Sequence, residues 1–310
     1  MNRTDRSSAL RQFAPTAAWR LWLDSSVPRY CAGLIVAVIC FGVLLLLAEP
    51  SSGEQGSVGQ QSVTATTLVP AESASASGTA PKSWRYLLYL PATYRSSGAA
   101  WPLIIYLHGR SLRGDDVTEV KRYGLPAIVE RRRDFPFVVV SPQLPSGSWP
   151  TKSLLALFDE VMAKYRVDPD RVYLTGVSLG AGAAWYVAAE DPGRFAAFAP
   201  VCGSADSRLA SKLTNLHIWA FHGAKDEITP LKDVQPLIEA VQERGGTALL
   251  SIDPEGSHGS VITPVYANEN LYRWFLRNRR GQPAPAVEPF RPFIRTDPPK
   301  PKTAQQRTPR

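Results

Sequence analysis

Residues 172–182 read Val-Tyr-Leu-Thr-Gly-Val-Ser-Leu-Gly-Ala-Gly. A strand-like run enters two glycines that flank Ser178, and a helix-forming segment starts at once at Leu179. So short a link leaves no loop, and strand and helix must cross at close range. Only small residues fit around that crossing, and Gly176, Gly180, Ala181 and Gly182 supply them. The flanking sequence extends the pattern. Trp84–Leu90, Leu103–Leu107, Phe137–Val140, Arg171–Thr175, Phe195–Val201, Leu216–Phe221 and Ala248–Ile252 read as strands. Helical spacing recurs in Glu119–Arg132 (interrupted at Gly124-Leu125-Pro126), Thr151–Tyr165, Leu179–Ala189, Leu231–Arg244 and Asn270–Asn278. Short apolar strands alternating with amphipathic helices predict an α/β fold over residues 83–280, with a mainly parallel central sheet and helices on both faces. Ligands bind such sheets at the carboxyl ends of the strands. The residues just past each strand therefore carry the chemistry.

Four strand ends stand out. At the first, Gly176-Val177-Ser178-Leu179-Gly180 sets Gly-x-Ser-x-Gly between strand and helix, a turn that projects the serine hydroxyl above the sheet. A second serine, in Gly109-Arg110-Ser111-Leu112-Arg113-Gly114, also follows a strand. It lacks that spacing, and Arg113 is too large for the second glycine place. At the second end, Tyr106-Leu107-His108-Gly109-Arg110 opens a loop. An acyl-transfer site needs backbone N–H groups aimed at a developing oxyanion, and those of Leu179 and Arg110 are the candidates. His108 reads as a structural hydrogen-bonder.

The third end, Phe221-His222-Gly223-Ala224-Lys225-Asp226, sets a carboxylate past a strand that follows the serine. Asp226 is the candidate acid and Glu227 its rival. The fourth end is the loop Asp253-Pro254-Glu255-Gly256-Ser257-His258, and of the four histidines only His258 follows both serine and acid. A serine hydroxyl becomes an effective nucleophile when a histidine takes its proton and a carboxylate orients that histidine. Ser178, His258 and Asp226 are expected in these roles. Trp149, after Pro145-Ser146-Gly147-Ser148, is a candidate pocket wall, and Trp185 a core residue. No Cys/His cluster has zinc spacing, and His222 with Asp226 lacks a third ligand, so no metal and no organic cofactor is expected.

These residues together resemble the α/β-hydrolase superfamily. More narrowly, the domain resembles a bacterial esterase/peptidase group near the feruloyl and acetylxylan esterases, polyhydroxyalkanoate depolymerases and dienelactone hydrolases. The resemblance spans nearly all of 83–280. It rests on Tyr106-Leu107-His108-Gly109, Val140-Ser141-Pro142-Gln143, Asp170–Gly180, Arg194–Gly203, and Phe221-His222-Gly223 with Asp226 and His258. It implies an α/β-hydrolase fold and a serine hydrolase acting on carboxylic esters, of small molecules or linked to a polysaccharide. A serine peptidase with the same three residues is the alternative. A non-catalytic envelope binding module on this fold is a third reading. Two positions depart from the group. Ala181 stands where glycine is frequent, and Arg110 where a small residue follows His-Gly, a change expected either to reshape the oxyanion loop or to add a cation to the pocket.

The rest of the chain differs in composition. Cys31–Ala48 is eighteen residues without a charge, about 27 Å as a helix, enough to cross a bilayer. Arg3, Arg6, Arg11, Arg20 and Arg29 all precede it. These features predict a cytoplasmic basic segment over 1–30 and a transmembrane anchor or uncleaved signal over 31–48. The catalytic domain is then expected on the periplasmic or extracellular side, secreted if the anchor is cleaved. Residues 49–82, rich in Ser, Gly, Ala and Thr, read as a flexible linker. Residues 281–310, with eight prolines, read as a disordered basic tail. The net charge of +8 invites a nucleic-acid partner. Its distribution argues against one, because 83–280 holds 23 basic and 20 acidic residues and most of the excess lies in the ends. With three cysteines, two of them in the apolar run, a disulfide scaffold is excluded. Oligomeric state is not defined by these features.

Overall fold

A computed structural model of the chain describes residues 59–65, 83–132, 134–285 and 293–296. Its strands are β1 (Gly59–Ala65), β2 (Trp84–Leu90), β3 (Trp101–Leu107), β4 (Val138–Pro142), β5 (Val167–Val177), β6 (Ala197–Val201), β7 (His217–Gly223), β8 (Ala248–Asp253) and β9 (Ile294–Thr296). They form one sheet in the order β1-β2-β4-β3-β5-β6-β7-β8-β9. The six strands from β4 to β8 in that order run parallel, while β1, β2 and β9 pair antiparallel at the margins. The helices are α1 (Leu125–Val129), α2 (Thr151–Lys164), α3 (Leu179–Glu190), α4 (Gln235–Glu243), α5 (Ile262–Ala267) and α6 (Glu269–Arg277).

Alternation along each strand divides the core. Leu103, Ile105 and Leu107 of β3 join Leu154, Phe158, Trp185 and Leu237 on the face covered by α2, α3 and α4. Ile104 and Tyr106 join Leu125, Tyr266, Trp274 and Phe275 on the face covered by α1, α5 and α6. A strand buried on both faces reads as a continuous apolar run, which is why these segments show no polar alternation. Two buried indoles are satisfied across the core: Trp84 Nε1 donates to Ser153 Oγ (3.0 Å) and Trp219 Nε1 to Ser251 Oγ (2.9 Å).

Several expectations need correction. Glu119–Arg132 is not one interrupted α-helix. It is a 3-10 turn over Val117–Arg122 and then α1, because Gly124 at φ 76° breaks the path. Leu231–Arg244 likewise opens with a 3-10 turn, and α4 begins where Pro236 fits a first helical turn. The segment read as a linker contains β1, which pairs with all of β2. The segment read as a tail contains β9, paired with β8. Short edge strands with one partner carry little compositional signal, and tertiary pairing outweighs their polar sequence. The six-residue α5 was too short for periodicity to reveal. The expected membrane span over 31–48 lies outside the described residues. Among the described residues, no helix is long and apolar enough to cross a membrane.

The crossing of β5 and α3 is as tight as the glycines predicted. A Cβ on Gly180 would lie 2.1 Å from the Leu107 carbonyl oxygen and 2.6 Å from that of His108. Backbone cannot yield there as a flexible side chain would. Gly180→Ala is therefore expected to lower stability by about 3 kcal/mol in urea unfolding. Gly193→Ala, whose Cβ would meet nothing within 4 Å, is the control and should stay within about 0.5 kcal/mol of the parent. Equal stability of the two variants would contradict the packing described.

Candidate active site

Ser178 sits between β5 and α3 with φ 53° and ψ −119°. That backbone region is unfavourable for a residue with a side chain and costs about 1–3 kcal/mol. Two hydrogen bonds hold it there: Ser178 N–H to Val201 O and Gly182 N–H to Ser178 O, both 2.9 Å. Leu179 opens α3, and Arg110 opens the 3-10 turn Arg110–Leu112 just after β3. The first N–H groups of a helix have no acceptor within it. Both residues line the same cavity as Ser178. A Cβ on Gly109 would lie 3.5 Å from the Ser178 Cβ, so the loop carrying Arg110 runs against the serine.

His258 and Asp226 reach Ser178 from two other strand ends. His258 Nε2 lies 2.8 Å from Ser178 Oγ. His258 Nδ1 lies 2.8 Å and 3.0 Å from the two Asp226 carboxylate oxygens. A carboxylate only accepts, so the neutral imidazole presents Nδ1–H to Asp226 and its bare Nε2 to the serine hydroxyl. Asp226 is buried, and its loop closes around it: the N–H groups of Ile228 and Thr229 donate to Oδ1 at 3.0 Å and 2.8 Å. Glu227 is exposed, whereas Asp226 is the carboxylate bonded to His258. Ser111, the other serine considered, bonds Tyr123 Oη at 2.8 Å instead.

The remaining histidines divide as their surroundings dictate. His108 is fully buried, with Nδ1–H donated to Gly109 O (2.8 Å) and Nε2 accepting from Leu144 N–H (3.0 Å). Burial lowers its pKa to about 4, so it stays neutral and structural at pH 7. His222 is also buried and pushed down by burial. Its Nε2 contacts Thr229 O at 2.7 Å and lies 3.3 Å from Asp226 Oδ2, which makes it a second imidazole against the same carboxylate. Cys202, at the end of β6, has φ 53° and is buried. Its sulfur, an Asp226 oxygen and a His258 nitrogen lie within 4.8 Å of one another. Burial pushes the thiol pKa up, so it is held protonated.

Two cavities of about 510 and 500 Å³ meet at Ser178. Trp149 is buried, donates Nε1–H to His108 O (3.3 Å), stacks on Trp84 and lines the first cavity. Trp185 is core, as expected, with Nε1–H on Gly203 O. Sequence reasoning missed Tyr186 and Ile228, which line the site with 47% and 73% of their surface exposed. An apolar residue two positions past the proposed acid was the available signal for Ile228. Tyr186 has none, since it follows Trp185 in a segment with apolar residues on every side.

Known proteins share this fold. The chain is 25% identical over 116 residues to the bifunctional acetylxylan esterase/xylanase XynS20E of Neocallimastix patriciarum, covering 35% of this chain and 17% of that protein. It thus spans about a sixth of the length of that curated relative. A thermostable esterase structure matches with a TM-score of 0.53 and 26% identity, over 66% of this chain and 62% of that one. A dienelactone hydrolase structure from Klebsiella pneumoniae, named as putative, shares the fold, with a TM-score of 0.51 and 17% identity over 70% of this chain and 99% of that one. The family model described as Esterase PHB depolymerase matches residues 84–277, well over half of the chain, and the chain belongs to that esterase family.

Proposed function

We propose that this chain is a serine hydrolase that cleaves carboxylic esters through an acyl-enzyme on Ser178. As Ser178 Oγ attacks the ester carbonyl carbon, His258 Nε2 takes its proton. Asp226 holds the imidazole by Nδ1–H and stabilises the cation that forms. The N–H groups of Leu179 and Arg110 receive the oxyanion. The tetrahedral intermediate collapses, and His258 gives its proton to the departing alkoxide. Water then enters, loses a proton to His258, attacks the acyl carbon and releases the acid. Ser178 recovers its proton in the same step. The observation that carries this reading is the unbroken contact from Ser178 Oγ to His258 Nε2 (2.8 Å) and from His258 Nδ1 to Asp226 (2.8 Å). Ser178→Ala is expected to lower kcat on p-nitrophenyl esters by about 10⁴-fold or more, with the fold intact by circular dichroism. Aminoacyl p-nitroanilides should not be turned over. Full ester turnover by the variant would sink the mechanism, and turnover of the anilides would favour a peptidase.

We further propose that Cys31–Ala48 anchors the chain in a membrane, with the catalytic domain on the periplasmic or extracellular side. Support comes from the eighteen uncharged residues and the five arginines that precede them. Alkaline phosphatase fused after residue 82 is expected to be active in a bacterial host, since that enzyme needs an oxidising compartment. An inactive fusion made in normal amounts would reverse the orientation.

A further inference from the structure

We infer that Arg110 makes this site selective for hemiesters of dicarboxylic acids, that is, esters whose acyl part ends in a second, ionised carboxylate. The inference rests on the ester-hydrolase reading above and adds a substrate class to it.

The two cavities at Ser178 differ in what lines them. The first has the hydroxyls of Ser148, Thr151, Ser204 and Tyr186. The second is mainly apolar, with Val177, Ile262 and the ring of Tyr123, and it alone is lined by His258. A departing alkoxide must take its proton from His258 Nε2, so the alcohol lies on the His258 side. The acyl group then extends into the first, hydroxyl-lined cavity. Arg110 borders both cavities, and among the described residues lining the first it is the one that carries a permanent charge.

Its charge is also uncompensated. Several arginines elsewhere on this surface are matched: Arg171 with Asp168 (2.6 Å), Arg194 with Asp159 (2.6 Å) and Asp191 (2.7 Å), Arg280 with Asp170 (2.8 Å). Among the described residues, no carboxylate lies within 4 Å of the Arg110 guanidinium, although Arg110 stands at the mouth of the site. The next guanidinium in the same loop, Arg113, is spent on the carbonyls of Arg110 (3.3 Å) and Gly147 (3.0 Å), and among the described residues it too has no carboxylate within 4 Å. The loop therefore offers positive potential toward the acyl cavity. An ionised carboxylate meets a guanidinium through charge-assisted and bidentate hydrogen bonds, whereas a neutral chain gains nothing from it. Hydrolysis of such a substrate consumes one water and releases the dicarboxylate and the alcohol.

The test uses monoethyl glutarate and its uncharged isostere ethyl glutaramate, assayed by release of ethanol with the full chain. Wild type is expected to show a kcat/KM ratio of about ten in favour of the anionic ester at low ionic strength. The ratio should fall about tenfold in Arg110→Gln, be kept in part by Arg110→Lys, and shrink in about 0.5 M NaCl. Reading the ratio removes any shared loss that the substitution causes in the loop. A wild-type ratio of one or less, or one unchanged in Arg110→Gln, overturns the inference while ester turnover leaves the hydrolase reading standing. Failure to turn over either ester, with p-nitrophenyl esters also inert, overturns both.

Discussion

The structure depends on two places where backbone meets backbone with no room for a methyl group. At one, the start of α3 lies over the end of β3, and Gly180 faces the Leu107 carbonyl. At the other, the end of β7 meets the loop after β8, where a Cβ on Gly223 would lie 2.3 Å from Gly256 O. The first contact fixes Ser178 in its unfavourable backbone region, and it brings the loop of Arg110 beside it. The second binds the loop of Asp226 to the loop of His258, reinforced by Lys225 N–H on Gly256 O and Ala224 N–H on Asp253 O, both 2.9 Å. Four strand ends that are distant in sequence thus converge on one hydroxyl.

Within that frame the electrostatics follow from burial. A buried carboxylate survives only with donors around it. Asp226 has two backbone N–H groups from its own turn, His258 Nδ1–H and the edge of His222. His258 is partly open to solvent on its other side, where Ser178 and the second cavity lie. The Asp226 carboxylate is therefore held and dry, and the His258 imidazole stands between it and the cavity at Ser178. His108 and Trp149, both buried, brace the opposite wall through their mutual edge-to-face contact, with ring centroids 4.9 Å apart.

Much of this was legible in the sequence, for physical reasons that differ by element. Parallel strands buried on both faces show as uninterrupted apolar runs, so β3 to β8 were found within a few residues of their ends. Ser178 was legible because a direct strand-to-helix turn demands glycine at fixed places. His258 and Asp226 were found by elimination and chain order. What escaped depends on tertiary partners. β1 and β9 exist through the strands they join, and their own composition reads as linker and tail. Tyr186 and Ile228 matter only because of which cavity they face. The second imidazole against Asp226 escaped because His222 looked like one more residue before a glycine.

The central claim is that Ser178 is the nucleophile. Intact-mass and peptide mass spectrometry after treatment with a fluorophosphonate test it most directly. One adduct, on the peptide holding Ser178 and greatly slowed in Asp226→Asn, is the predicted result. An unmodified chain, or an adduct on another serine such as Ser111, would contradict the account.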